Sequence, residues 1–152
     1  MTPDYFMNAA WQEALKAFDD GEVPVGAVIE KNGKIIGRGY NRTEKLLDAT
    51  AHAEILAIGA ASSYLDTWRL NGCNIYITLE PCIMCLGAIL QARIDSIIYA
   101  TPDPHLGAID SFYYRHELER AYKYFPHIKS GIMKEQCSKI LKSFFKQQRR
   151  KK

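Results

Sequence analysis

Two short stretches of this chain have to meet in space, and that requirement constrains the fold more than any other feature. One is Thr78-Leu-Glu-Pro-Cys-Ile-Met-Cys85; the other is Ala51-His-Ala-Glu54, about thirty residues earlier. Cys82 and Cys85 stand three apart behind Pro81, a residue that can open a helix. The spacing predicts two thiolates on one helical face, with the helix dipole favouring their anionic form. His52 offers a third ligand. Three protein ligands leave a fourth zinc position open for water, whereas structural zinc sites close with four. Mixed cysteine and histidine ligation favours zinc among the divalent metals. Glu54, two residues from His52, is placed to carry that water's protons, so the set predicts a hydrolytic zinc enzyme.

A chain of 152 residues fits one domain, and a chain of that size can bury about two-thirds of its unfolded surface. We expect a single domain over residues 1–152 that closes in a basic helical tail. The apolar share of 47% is ordinary, and no run approaches the ~20 apolar residues of a membrane span. The N-terminus lacks the basic-then-apolar pattern of a secretory signal. The expectation is a cytoplasmic protein with no membrane partner. Four cysteines could pair as disulfides, but a Cys-x-x-Cys with a His-x-Glu elsewhere favours metal binding in a reducing compartment. Cys73 and Cys137 are then buried or bystander thiols.

Charge is informative only once it is located. The net charge is +3, and five cations (Lys146, Arg149, Arg150, Lys151 and Lys152) fall in the last seven residues, which leaves −2 on the rest. A basic tail on a near-neutral body can engage phosphates by counterion release, and it can equally be a solvated helix end.

Thr2-Pro3-Asp4 reads as a helix start, and Met7, Ala10, Trp11, Ala14 and Phe18 recur at helical spacing up to Gly21. Pro24 to Glu30 and Lys34 to Tyr40 read as strands joined by a tight turn at Asn32-Gly33. Asn41 to Thr50 reads as a loop, and Thr50 as the cap of a helix from Ala51 to about Ser62. His52 and Glu54 would then lie in a first turn. Residues two apart on a helix do not face one way, so both reach one pocket only if the turn meets the site end-on. Asn74 to Leu79 is a strand, Cys82 to about Ala92 a helix, and Ser96 to Ala100 a strand. The alternation suggests a layered α/β domain. From Thr101 to Pro126 the pattern weakens, and Phe112, Tyr113, Tyr114, Tyr122, Tyr124 and Phe125 interleave with Arg115, Arg120 and Lys123. Such a stretch could stack bases, or it could be a short helix packing its aromatics on the core or a second subunit. His127 to Ile132 reads as a last strand. Cys137, Ile140, Leu141, Phe144 and Phe145 share one face of a closing helix.

At Ala51-His-Ala-Glu54 and Pro81-Cys-x-x-Cys85 the sequence resembles the zinc-dependent cytidine deaminase superfamily. Within it the resemblance is to the bacterial tRNA adenosine deaminases. That likeness is carried by Gly21-Glu-Val-Pro-Val-Gly-Ala-Val28, Gly39-Tyr-Asn-Arg42, Thr78 to Ala88, Asp103-Pro104 with Gly107-Ala108, and Phe144-Phe145. It implies a three-layer α/β/α fold with a central five-stranded mixed sheet, a homodimer with one Zn2+ per subunit, and hydrolysis of the wobble adenosine of an arginine tRNA to inosine. By the same resemblance His52, Cys82 and Cys85 are the zinc ligands and Glu54 the proton shuttle. Asn41 hydrogen-bonds the flipped base, the Ala53 N–H lies near its edge, and Val25 and Pro24 wall the pocket. Asp103 touches RNA near the target nucleotide, and Phe145 with the basic tail flanks the anticodon loop.

The chain departs from the family after Asp103-Pro104. There the family continues Lys-Thr-Gly-Ala-Ala-Gly-Ser and this chain reads His105-Leu-Gly-Ala-Ile-Asp-Ser111. A lysine has become a histidine, and a glycine has become Asp110, a carboxylate that would repel RNA if it faced it. Two other functions compete with tRNA editing. One is deamination of a free base or nucleoside such as guanine or cytosine at the same zinc site. The other is a zinc-stabilised binding module without catalysis, which would need a fourth ligand and no Glu54.

Overall fold

The computed structural model describes residues 2–151. Its elements follow in the order α1 (Pro3–Asp19), β1 (Gly26–Lys31), β2 (Lys34–Tyr40), α2 (Thr43–Leu46), α3 (Ala53–Leu65), β3 (Cys73–Leu79), α4 (Ile83–Gln91), β4 (Ser96–Thr101), α5 (Arg115–Tyr122), β5 (His127–Ser130) and α6 (Lys134–Lys151). The five strands form one mixed sheet in the order β2-β1-β3-β4-β5. The β1/β2 and β1/β3 pairs are antiparallel, and β3/β4 and β4/β5 are parallel.

Strand alternation divides the core between the two faces of the sheet. Ala27, Ile29, Ile75, Ile77, Ile97 and Tyr99 join the cluster that includes Ala53 and Ala57 of α3 and Leu86, Ile89 and Leu90 of α4. Val28, Tyr76, Ile98 and Ala100 join Phe6, Met7 and Ala10 of α1 and Cys137 of α6. Helices thus cover both sides, giving the α/β/α layering and five-stranded mixed sheet expected from the sequence.

Local chemistry accounts for most element boundaries. Pro3 opens α1 while the Thr2 hydroxyl accepts from the Tyr5 N–H at 3.4 Å. Asn32 and Gly33 both take positive φ, 51° and 82°, as a two-residue hairpin between Lys31 and Lys34 requires. Three boundaries differ from the sequence reading. A short α2 occupies part of the expected loop. The Thr50 hydroxyl is taken by Asp48 Oδ1 at 2.7 Å, so Thr50 does not cap α3; His52 does. Likewise α4 begins at Ile83 with Cys82 as its cap, so Pro81 lies before the helix and does not open it.

The weakly patterned region resolves as α5 and the loops around it. Tyr122, Tyr124 and Phe125 pack partly buried against the core. Arg93 lies over the rings of Tyr122 and Tyr124, and Arg115 over that of Phe125. Those cations and rings satisfy one another, whereas Phe112, Tyr113 and Tyr114 are exposed. Cys73 and Cys137 are buried free thiols as expected, and burial pushes the Cys137 thiol up to about 12.

Candidate metal centre and substrate cavity

Helices α3 and α4 aim their N-termini at one spot. His52 precedes α3 with φ −75° and ψ 156°, and Cys82 precedes α4 with φ −73° and ψ 173°. Both are extended residues at the mouth of a helix, where the dipole is positive. Glu54 follows inside the first turn of α3 and Cys85 inside the first turn of α4. The end-on condition is met because His52 is outside the helix and Glu54 is inside it.

Packing brings α3 this close to the sheet. A Cβ on Gly39 of β2 would run into the Ala53 carbonyl and the Ala57 N–H of α3, so only glycine lets the helix lie flat on the strand here. The His52 Nδ1 atom then lies 3.7 Å from Cys82 Sγ and 3.5 Å from Cys85 Sγ. All three donors fall within 4.8 Å of one another. With Zn–S near 2.3 Å and Zn–N near 2.0 Å, a tetrahedral zinc ion separates nitrogen and sulfur donors by about 3.5 Å. The donor set therefore fits zinc in both chemistry and spacing.

Electrostatics of the cluster suit the same ion. Cys82 is held down to about 4, chiefly by the hydrogen bond from the Cys85 thiol, with His52 adding to it against the cost of burial. Cys85 is raised because it donates that proton and is itself buried. The hydrogen bond with Cys82 raises His52. Glu54 is 4% exposed; its burial pushes the carboxyl up to about 7, the Cys82 charge adding to the effect.

A cavity of about 580 Å³ opens from this cluster, within the range of small-molecule sites, roughly 300–1,000 Å³. His52, Ala53, Glu54 and Cys82 line it together with Val25, Asn41, Asp103 and His105. Lys142 and Phe145 reach it from α6.

Residues 1–101 match the family model of the cytidine and deoxycytidylate deaminase zinc-binding region. The chain belongs to this family of zinc-dependent deaminases. It is 40% identical to a tRNA-specific adenosine deaminase of Bacillus subtilis (strain 168), over all of this chain and 94% of that one. A solved tRNA:A34 deaminase superposes with a TM-score of 0.85 at 42% identity, over 90% of this chain and 99% of the other. The X-ray structure of guanine deaminase from Bacillus subtilis superposes with a TM-score of 0.64 at 40% identity, over 67% of this chain and 66% of that one.

The deaminase places most sequence-predicted residues around the cavity. Asn41 is 8% exposed; its Nδ2 donates to the Val23 carbonyl at 3.4 Å, and its buried Oδ1 has no partner. Ala53 occupies the first helical position of α3, where the N–H has no acceptor within the helix. Phe145 is 47% exposed and stacks edge-on against Phe144. Asp103 is at the rim, with Oδ1 accepting from the N–H groups of His105 and Leu106 at 3.0 and 3.3 Å. Pro24 is buried but does not line the cavity; Val23 lines it instead. The altered loop divides in two. His105 faces the cavity, and the Asp110 carboxylate accepts from the Tyr99 hydroxyl and is not among the residues lining the cavity.

Two residues escaped the sequence reading, Glu22 and Glu80. Both are buried acids inside apolar motifs, and that anomaly was the available signal. Glu22 accepts from the N–H groups of Glu44 and Lys45 at 3.1 and 2.8 Å, which folds α2 beside the cavity. Glu80 does the same for the loop after β4.

Proposed function

We propose that this deaminase hydrolyses the wobble adenosine of a tRNA, of the arginine type, to inosine and ammonia. The observation that carries the reading is the 40% identity to a tRNA-specific adenosine deaminase along the full chain. The exposed Phe145 and Lys142, which line the cavity, and the exposed cations that follow them on α6 support it.

When bound by His52, Cys82 and Cys85, zinc lowers the pKa of a water toward neutrality. The chain's own residues do the rest. Glu54 takes a proton from the attacking water and passes it to N1 of the adenine ring as oxygen adds at C6. It then moves a second proton to the departing amino group, the C6–N bond breaks, and the carbonyl of inosine forms. A buried carboxyl beside the reacting water can accept and release a proton in one cycle. The unpartnered Asn41 Oδ1 accepts a hydrogen bond from the flipped base and the Ala53 N–H donates to its edge. Val25 supplies an apolar wall, and Asp103 shapes the rim nearest the target nucleotide. Phe145 offers a stacking face to a neighbouring base, and the tail cations meet anticodon-loop phosphates.

The chain works as one deaminase domain, in the cytoplasm, as a homodimer. Among the described residues no helix is long and apolar enough to cross a membrane.

Likeness to the guanine deaminase over two-thirds of the chain favours a second reading, deamination of a free purine. Incubating the zinc-loaded protein with arginine tRNA carrying a wobble adenosine, and reading that position after reverse transcription, tests the first. Conversion of the position to one read as guanosine supports it; an unchanged adenosine contradicts it.

A further inference from the structure

Asp103 to Leu106 line the cavity, and a single carboxylate gathers the loop they open, Asp103 to Ser111. Glu80 Oε2 accepts N–H donors from Ile109, Asp110 and Ser111 at 2.9, 2.8 and 3.1 Å. Its Oε1 accepts from the Asp103 N–H at 3.0 Å and the Ser111 hydroxyl at 2.7 Å. Glu80 is 2% exposed. Five donors fill the lone-pair sites of an ionised carboxylate, about four in number. Although Glu80 stands at the same cavity as Glu54, it has no capacity left for a substrate proton.

The loop is shaped around that carboxylate. A Cβ on Gly107 would overlap the Glu80 carboxyl group, and the Gly107 N–H closes a turn on the Asp103 carbonyl at 2.9 Å. Farther along, Asp110 ties the loop to β4 by accepting from the Tyr99 hydroxyl. Asp103 and His105 are presented to the cavity by a loop that is already folded.

From this geometry we infer that Glu80 is a positioning residue: it preforms the Asp103–Ser111 loop and thereby sets affinity for the nucleotides flanking the target, without entering the deamination step. The inference rests on the tRNA reading only for the identity of the substrate. Preorganisation of this kind acts on binding by removing an ordering cost.

Glu80→Gln places an amide donor against backbone donors while keeping the volume. In zinc-loaded E80Q, KM for the tRNA should rise about tenfold and kcat should fall by less than about threefold, with zinc content unchanged. Hydrogen exchange of the Asp103, Ile109, Asp110 and Ser111 amides, slow in the unaltered protein, should become fast. That arm needs no substrate, so it separates failure of this inference from failure of the tRNA assignment, which would appear as absent inosine with the unaltered enzyme. Ser111→Ala, which removes one of the five bonds, should raise KM about two- to threefold and serves if E80Q does not fold. Unchanged amide exchange, an unchanged KM, or a loss confined to kcat or zinc would overturn the inference.

Discussion

The Nδ1 atom of His52 lies 3.5 Å from the Sγ atom of Cys85, although 33 positions separate them in the chain. Two helix N-termini, each preceded by an extended ligand residue, create that meeting. The pairing carries consequences for metal, substrate and RNA.

Zinc must displace the thiol proton of Cys85, because only the thiolate ligates. Metal uptake should therefore release protons, and zinc affinity should fall as pH is lowered, since protons then compete for the same sulfurs. A dye-based proton count during zinc titration, repeated at several pH values, checks this. Proton-neutral uptake with a pH-independent affinity would contradict it. Cys82→Ser should lose the zinc, and Cys137, buried and shifted up to about 12, should stay inert to thiol reagents in the folded protein.

Glu54→Gln keeps the shape of the side chain and removes the proton carrier. The expected loss is about 10²- to 10⁴-fold in kcat, with zinc retained at one ion per chain. Metal analysis alongside single-turnover kinetics distinguishes this from a ligand role, in which zinc and activity would vanish together.

Asn41→Ala removes a buried acceptor that no protein group satisfies. The account predicts a fall in kcat/KM equivalent to about 1–3 kcal/mol, with little change in folding stability because only the 3.4 Å bond to Val23 is lost. Steady-state kinetics and a denaturation curve measure the two halves; a large stability loss would recast Asn41 as a structural residue.

Truncation after Phe145 removes the exposed cations Lys146, Arg149, Arg150 and Lys151 of α6 along with Lys152. Binding to tRNA should weaken and its logarithmic salt dependence should become shallower. An equal slope in both proteins would make the tail a solvated helix end.

Much of this was readable from the residues. Short apolar runs marked the strands, Asn32-Gly33 marked the hairpin, and the spacing of His52, Cys82 and Cys85 marked the metal centre. What the sequence hid depends on long-range acceptors. Glu22 and Glu80 organise loops by collecting backbone N–H groups, and nothing in a linear pattern states which loop an acid will gather. Helix starts were misplaced by one or two residues because the capping position fell to the ligands His52 and Cys82 and not to Thr50 and Pro81. The aromatic stretch was ambiguous for a similar reason: Arg93, which occupies two of its rings, lies far from it in the chain.

The most direct test compares kcat/KM of the zinc-loaded enzyme on arginine tRNA bearing a wobble adenosine with that on free guanine, cytosine and adenosine, by inosine and ammonia assay. The account predicts inosine at the wobble position and no more than trace ammonia from the free compounds. Ammonia from free guanine with no inosine in the tRNA would contradict it.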